Sequence, residues 1–473
     1  MKNKIRILFV AILIFATSIA GNSQVTFPLK VSPNNRYLVD QKNKPFPILG
    51  RTSWFVISLP LKVYQAYINS SVSLGYNSIE MHVLNHDPRG NNPPFNGNGD
   101  LPFLKRLDGS PWTGSLVYTD KNTEAPDMTT PNEKYWSYVD SFLSFCESKG
   151  VMVFFFPAYL GYPGSNQGWM PELVANGDTK SKTYGEWIAK RYKHQKNIVW
   201  MLLGDIGSFK PEEKIAEAAL IKGLKSVPDQ QSVHYSAESK SQENAVDQPD
   251  FGNEMTLNGV YTWGGSVTVP SLGRIGYSHT PVIPAFLLEE PYDEEGPDGN
   301  NVNPSATQPV RRFQWWGWLS TIGGYISGNG YVWRFVDPWK DHLDTQGSRD
   351  MGRLNTFIKS FSWWDLVPSG LNGMMNLIPS GGSLPSSEDY VSAVATPDKK
   401  LLIAYIPPAH RGSITVDMTA MNGNVNARWY DPTNGKYSAI SGSPFNNKGT
   451  HEFTPPGTNS TGEADWVLVL KAK

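Results

Sequence analysis

Two runs in this chain tolerate only one kind of surroundings. Val151–Phe156 reads VMVFFF and Ile198–Leu203 reads IVWMLL, both unbroken apolar stretches of strand length. Strands that do not alternate with polar residues are covered on both faces, as in a parallel sheet packed between helices. A helical pattern precedes each run. Thr130-Pro131-Asn132-Glu133 forms a capping box with Pro at the first helical position. The helix it opens aligns Tyr135, Val139, Phe142, Leu143 and Cys146 on one face, and Gly150 ends it. Ahead of the second run, Trp187, Ile188 and Tyr192 recur at helical spacing, while Lys190, Arg191 and Lys193 mark a wetter side. Gly204 then stops the strand and Asp205 sits just past its end. A (β/α)8 barrel places its chemistry at the C-terminal ends of its strands. Asp205 is therefore a candidate functional carboxylate, with a cap on the following helix as the competing reading.

The same alternation continues on either side. Residues 25–50 read as short extended pieces and turns, a hairpin covering the barrel's bottom. Ile48–Gly50 is the expected first strand, running into Arg51, Thr52, Ser53 and Trp54. Residues 62–74 form a helix closed by Gly75, and Asn77–Leu84 a second strand ending near His86 and Asp87. A Pro/Gly/Asn-rich insertion over 88–118 carries Phe95, Phe103 and Trp112 and reads as a cleft wall. Pro211–Val227 is the fourth helix. Strands five to eight are expected at Ser232–Ser236, Asn258–Trp263, Val282–Leu288 and Gly323–Ser327, with an aromatic helix over 309–322. Eight strand–helix units predict a (β/α)8 (TIM) barrel with an N-terminal hairpin over 21–368. After a Ser/Gly/Pro-rich linker at 369–387, short strands punctuated by turns predict a separate all-β sandwich over 388–473.

Composition narrows the function. Net charge is −1, from 42 basic and 43 acidic residues, which gives no support to nucleic-acid binding. Residues 1–20 read as a cleaved signal peptide, with Lys2, Lys4 and Arg6 before the apolar run Ile7–Ala16. The expected location is secreted or periplasmic, without membrane insertion or a lipid anchor. Cys146 is the single cysteine, so internal disulfides are excluded and the fold must rest on its core. The 16 Trp and 21 Tyr suit a cleft that stacks aromatic rings on sugars, and suit a large core equally.

At this point the residues resemble a known family. YGEWIAKRYKHQKNIVWMLLGD, ending in Asp205, and LLEEPYD, containing Glu290, are similar to the apiosidase-like glycoside hydrolases. RWYDPTNG, FTPPG and DWVLVL resemble the β-domain family named for collagen binding in a collagenase. The first resemblance implies a (β/α)8 barrel and release of sugars from apiose linkages in the pectin rhamnogalacturonan II. It also implies Asp205 as acid/base and Glu290, directly before Pro291, as nucleophile. Two departures stand out. Leu203 replaces a glycine in the usual Gly-Gly-Asp, and Arg51 replaces the acid of the usual Gly-Asp-Thr-x-Trp.

Glycoside cleavage needs two carboxyl groups facing each other across the scissile bond. Asp205 at strand four and Glu290 at strand seven lie on opposite sides of a barrel, where their side chains can converge. Glu289 competes with Glu290, because only one of two strand neighbours points inward. Arg51, Trp54, His82, Tyr159, His234, Tyr261, Trp263 and Trp333 are candidate substrate-binding residues. The acids Asp293, Glu294, Glu295 and Asp298 read as a solvated loop in preference to a Ca²⁺ site. No histidine spacing suggests zinc, so neither metal nor cofactor is expected. The leading expectation is a monomeric, secreted, retaining glycoside hydrolase acting on plant cell-wall polysaccharide. Alternatives are a non-catalytic glycan-binding barrel and a retaining hydrolase of mannanase or glucosidase type.

Overall fold

Both apolar runs become strands buried along their whole length. The computed structural model describes residues 25–264, 267–295 and 308–473. The expected leader at 1–20 and Asp298 lie outside the described residues. Among the described residues eight parallel strands, with a short antiparallel strand Glu243–Asn244 at one edge, form the central sheet: β1 (Ile48–Thr52), β2 (Ser78–His82), β3 (Met152–Phe156), β4 (Ile198–Leu203), β5 (Tyr235–Glu238), β6 (Asn258–Tyr261), β7 (Ala285–Glu289) and β8 (Ile322–Ser327). Their order is β5-β4-β3-β2-β1-β8-β7-β6, the circular order of a TIM barrel. The ladder is open between β5 and β6. There the wall is drawn together by the Thr256 and Leu257 amides, which donate to the Tyr235 carbonyl at 2.9 and 3.0 Å.

Around the sheet run α1 (Leu61–Ser73), α2 (Glu133–Ser148), α3 (Met170–Arg191), α4 (Pro211–Lys225), α5 (Thr268–Tyr277), α6 (Gln308–Thr321) and α7 (Gln346–Lys359). Among the described residues no helix is long and apolar enough to cross a membrane. A three-stranded antiparallel sheet of residues 30–46 precedes β1. The strand register fixes what the barrel encloses. Thr52, Glu80 and Phe154 are register partners and so share a face. Phe154 meets Phe286 of β7 across the barrel, with ring centroids 5.2 Å apart. That face is the interior, and the other parity faces the helices.

The C-terminal region contains β9 (Ser392–Ala395), β10 (Leu401–Ile406), β11 (Ile414–Asp417), β12 (Val425–Tyr430), β13 (Tyr437–Ala439), β14 (Thr450–Phe453) and β15 (Trp466–Ala472). The larger sheet runs β9-β10-β15-β12-β13, and β11 pairs with β14 in a smaller one. Val367–Pro368, assigned from sequence to the barrel, pairs with β9 as an edge of the larger sheet. Alternation divides that sheet cleanly. Leu402, Ala404, Ile406, Leu468 and Leu470 join Ile414, Val416 and Phe453 in one core. Ile403, Tyr405, Val467 and Val469 pack instead with Trp315, Trp316 and Trp318 of α6.

The sandwich is therefore not self-contained, as the sequence reading expected. Its second face completes the barrel's core, and the Trp315 and Tyr405 rings stack at 5.6 Å. Beside them Arg311 of α6, 1% exposed, forks onto Asp465 with two 2.7 Å hydrogen bonds and onto Asp350 of α7 with one of 2.6 Å. Bidentate guanidinium–carboxylate pairing suits a buried site. Removing one partner leaves an uncompensated buried charge, at a cost of about 3–5 kcal/mol. Arg311→Met should accordingly lower unfolding stability by about that amount, read as a lower urea midpoint. An unchanged midpoint would show that Asp465 and Asp350 find other partners.

Candidate active site

The chain leaves β4 through three successive residues of positive φ: Leu203 (67°), Gly204 (130°) and Asp205 (55°). Only the middle one is glycine, and non-glycine residues held there cost on the order of 1–3 kcal/mol each. Gly204 has no room for a side chain, since a Cβ would lie 2.4 Å from the Tyr159 ring. The turn delivers the Asp205 carboxyl between two tyrosines. Tyr159 donates to its Oδ2 at 2.5 Å and Tyr261, from the end of β6, to its Oδ1 at 2.6 Å. Burial raises the Asp205 pKa, and the two tyrosine hydrogen bonds and the Arg89 charge oppose that rise. Asp205 is thus a cleft carboxyl, and the helix-cap reading does not apply.

On β7 the structure corrects the choice between the paired glutamates. Phe286 and Leu288 face the barrel interior and Leu287 the helices. Strict alternation would bring Glu290 inward. The register against β6 instead slips, with Val260 opposite Leu287 and Tyr261 opposite Glu289. This bulge turns Glu289 into the cleft, where the Tyr292 hydroxyl donates to its Oε1. Glu290 is fully buried on the helix side, and its Oε1 accepts from the Gln314 amide of α6. The Glu289 carboxyl is pushed well above its ordinary range by burial and then by the Asp205 charge, while Tyr292 and Tyr261 oppose this. The Tyr261 hydroxyl thus interacts with Asp205 and Glu289 alike.

The cleft holds about 550 Å³. Trp54, His82, Tyr159, Tyr261, Trp263 and Trp333 all line it. His82 is sandwiched between Trp54 and Tyr159, with centroids at 4.5 and 4.1 Å, and burial lowers its pKa well below the ordinary value. Two other residues named from sequence lie elsewhere. Arg51 has the parity opposite to Thr52 and points at α1, where it donates to Ser71 Oγ at 3.3 Å and lies over the Tyr67 ring. His234 precedes β5, at the wrong end of the barrel, and its Nε2 lies 3.1 Å from the Leu29 carbonyl. The insertion reaches the cleft only through Arg89 among the cavity's lining residues, while its Phe103 and Trp112, expected in the wall, are buried against Trp169. Nor is 293–295 a solvated loop. Asp293, Glu294 and Glu295 are buried, and they hydrogen-bond Asn329, Thr345, His342 and Trp263.

Cleft residues that sequence reasoning did not name as site residues include Asp87, Arg89 and Glu238, and also Phe55, Lys240, Ser241 and Tyr292. Arg89 reaches back to Asp87 in a bidentate pair and lies over Trp333 at 5.1 Å. The Asp87-Pro-Arg89 spacing at the close of β2 was the available signal. Glu238 ends β5 opposite Leu203, a position the expected strand, ending at Ser236, stopped short of.

Known proteins align with this arrangement. The family described as "Apiosidase-like, catalytic domain" matches residues 32–365. That described as "Putative collagen-binding domain of a collagenase" matches 382–471. Among solved structures, one titled "Glycoside hydrolase" superposes with a TM-score of 0.75 at 20% identity, covering 95% of this chain and 99% of that one. A glycoside hydrolase family 5 structure from Bacteroides vulgatus gives 0.74 at 20% identity, covering 95% of each chain. No curated protein matches the sequence.

The displaced glutamate supplies a stability test. Burial, then the Glu289 and Glu295 charges, raise the Glu290 pKa well above its ordinary value. A pKa raised on folding stabilises fully below the unfolded value of about 4.3, and that contribution is lost as pH climbs through the folded value. Glu290→Gln removes the titration but keeps an acceptor for Gln314. The variant's thermal midpoint should exceed the wild type's by a margin that widens from pH 5 to pH 9. A margin that narrows over that range contradicts a neutral buried carboxyl.

Proposed function

The chain belongs to the apiosidase-like family, and we propose that it is an exported, retaining glycoside hydrolase with Glu289 as nucleophile and Asp205 as acid/base. Its catalytic domain is of glycoside hydrolase type. The observation that carries the mechanism is the pair of carboxyls, Asp205 from the end of β4 and Glu289 from the end of β7, that line one aromatic cleft beside Tyr261. Retention needs carboxyls about 5–5.5 Å apart, whereas inversion needs roughly 6.5–9.5 Å to admit a water. The retaining course is the one we propose for this pair, whose carboxyls influence one another across the cleft.

In the first displacement Glu289 attacks the anomeric carbon while Asp205 protonates the departing oxygen. In the second, Asp205 takes a proton from water, which attacks the same carbon and releases Glu289. Tyr292 donates to Glu289, holding it in orientation and favouring its ionised form. Burial favours the protonated form of Asp205 needed at the outset. Trp54, Trp263 and Trp333 offer ring faces to a sugar. A barrel that only bound glycans would not require two opposed carboxyls. The substrate class we propose is plant cell-wall polysaccharide, with apiose-bearing side chains of rhamnogalacturonan II as the first to assay. Export rests on the basic start and apolar run of residues 1–20.

Glu289→Gln should lower kcat at least on the order of 10³-fold, and Glu290→Gln should retain turnover. Asp205→Asn should spare aryl glycosides with good leaving groups, which need little protonation. An NMR time course should show the retained anomer first. Inverted product would remove the double displacement, and activity in Glu289→Gln would remove the nucleophile.

A further inference from the structure

The cleft contains a third carboxyl that the double displacement does not use. Glu238 is 1% exposed and lines the cavity. Its Oε2 is buried without a hydrogen-bond partner, as is the Ser236 Oγ two residues earlier on the same interior face. Buried polar atoms are nearly always satisfied, so an orphan at the floor of an open cavity marks a place where a ligand supplies the missing partner. The groups facing Glu238 are unable to do so. Glu289, Asp205 and Glu80 bring like charge from β7, the end of β4 and β2. The hydroxyls of Tyr159 and Tyr261 already donate to Asp205. Lys240, on the same segment, lies with its side chain over Gly207 and beside Glu243.

We propose that Glu238 is a substrate-binding residue of this cleft, a neutral carboxylic acid that donates its O–H to a hydroxyl of the sugar held between Asp205 and Glu289. The inference rests on the hydrolase reading above. A carboxylic acid offers one donor and one acceptor, which matches a sugar hydroxyl. Burial first, and then the charges of Glu289, Asp205 and Glu80, raise the Glu238 pKa well above the ordinary carboxylate value. Burial and these charges therefore favour the neutral acid. Asp205 and Glu289 each receive tyrosine hydrogen bonds, and Glu238 receives none. Glu238 is thus the one of the three whose neutral form no tyrosine hydroxyl opposes.

The test uses the aryl glycoside with a good leaving group that the full-length wild type hydrolyses fastest. Glu238→Leu removes donor and acceptor and should raise KM about 10-fold or more, with kcat for this activated substrate within about 3-fold of wild type. Glu238→Gln keeps both polar functions and should bring KM back to within about 3-fold. In the wild type, KM should rise with pH as Glu238 loses its proton, and in Glu238→Gln that rise should disappear. A Glu238→Leu enzyme whose KM stays within about 3-fold of wild type overturns the proposal. So does a Glu238→Gln enzyme that loses kcat at unchanged KM, which would make Glu238 a proton-transfer group. Glu289→Gln, assayed alongside, separates the two levels. Turnover surviving in that variant defeats the hydrolase mechanism, whereas its loss leaves the Glu238 results to bear on the donor alone.

Discussion

A barrel wall has two faces, and each residue on a strand must take one. That period-two constraint decides nearly everything about this site. Thr52, Glu80 and Phe154 share the interior by register, and Glu238 joins the cleft at the end of β5. Arg51, one residue before Thr52, is sent to the helix layer and cannot reach a sugar. The site exists where the constraint is relaxed. At the end of β4, three left-handed residues swing Asp205 over the mouth. At the end of β7, a register slip exchanges Glu290 for Glu289. Irregular backbone at two strand ends, opposed across a regular barrel, brings the two carboxyls together.

This also explains what was legible in the sequence. Fully apolar runs read as strands because burial on both faces leaves no other composition, and Asp205 stood out as the polar residue where such a run stops. The aromatic residues of the cleft were legible as residues just beyond strand ends. The choice between Glu289 and Glu290 was not, because a bulge leaves no mark in a two-residue acidic pair, and alternation from Phe286 and Leu288 points to the wrong one. The family motif favoured Glu290 through its position before Pro291, and the geometry places Glu289 in the cleft. His234 was misplaced for a different reason. It lies one residue before β5, and polarity alone does not tell a strand's start from its end. Glu238 was missed because the fifth strand was ended two residues early.

The mouth of the barrel gathers Asp205, Glu238 and Glu289 above Glu80, and Glu80 has neither carboxyl oxygen hydrogen-bonded. Such a group cannot be fully ionised in a desolvated site. The tyrosines impose an order on it. Tyr159, Tyr261 and Tyr292 aim hydroxyls at Asp205 and Glu289, lowering the cost of charge on those two. Glu80 and Glu238 lack such donors, and burial with the neighbouring carboxyls raises the pKa of each. Asp205 and Glu289 are thus set apart from their neighbours by hydroxyl dipoles more than by cations, since Arg89 is largely engaged with Asp87. That leaves the departure at Arg51 without direct electrostatic consequence for the cleft, because its guanidinium lies beyond the wall among Tyr67, Tyr76 and Ser71.

The C-terminal sheet is far from this chemistry but not independent of it. Glu290, the residue displaced by the bulge, is held by Gln314 of α6. One turn earlier on the same helix, Arg311 forks onto Asp465, and Trp315 stacks on Tyr405 of β10. The bulge that presents Glu289 is therefore pinned on its reverse side by a helix whose outer surface is covered by the β-sheet. A barrel helix facing solvent would not carry Trp315, Trp316 and Trp318 fully buried. This helix has apolar residues around its circumference because it lies between two sheets. The β-region thus stands as the outer layer of the catalytic barrel at β7 and β8, and the all-apolar character of LLIAYI in β10 follows from the same two-sided burial as the runs in β3 and β4.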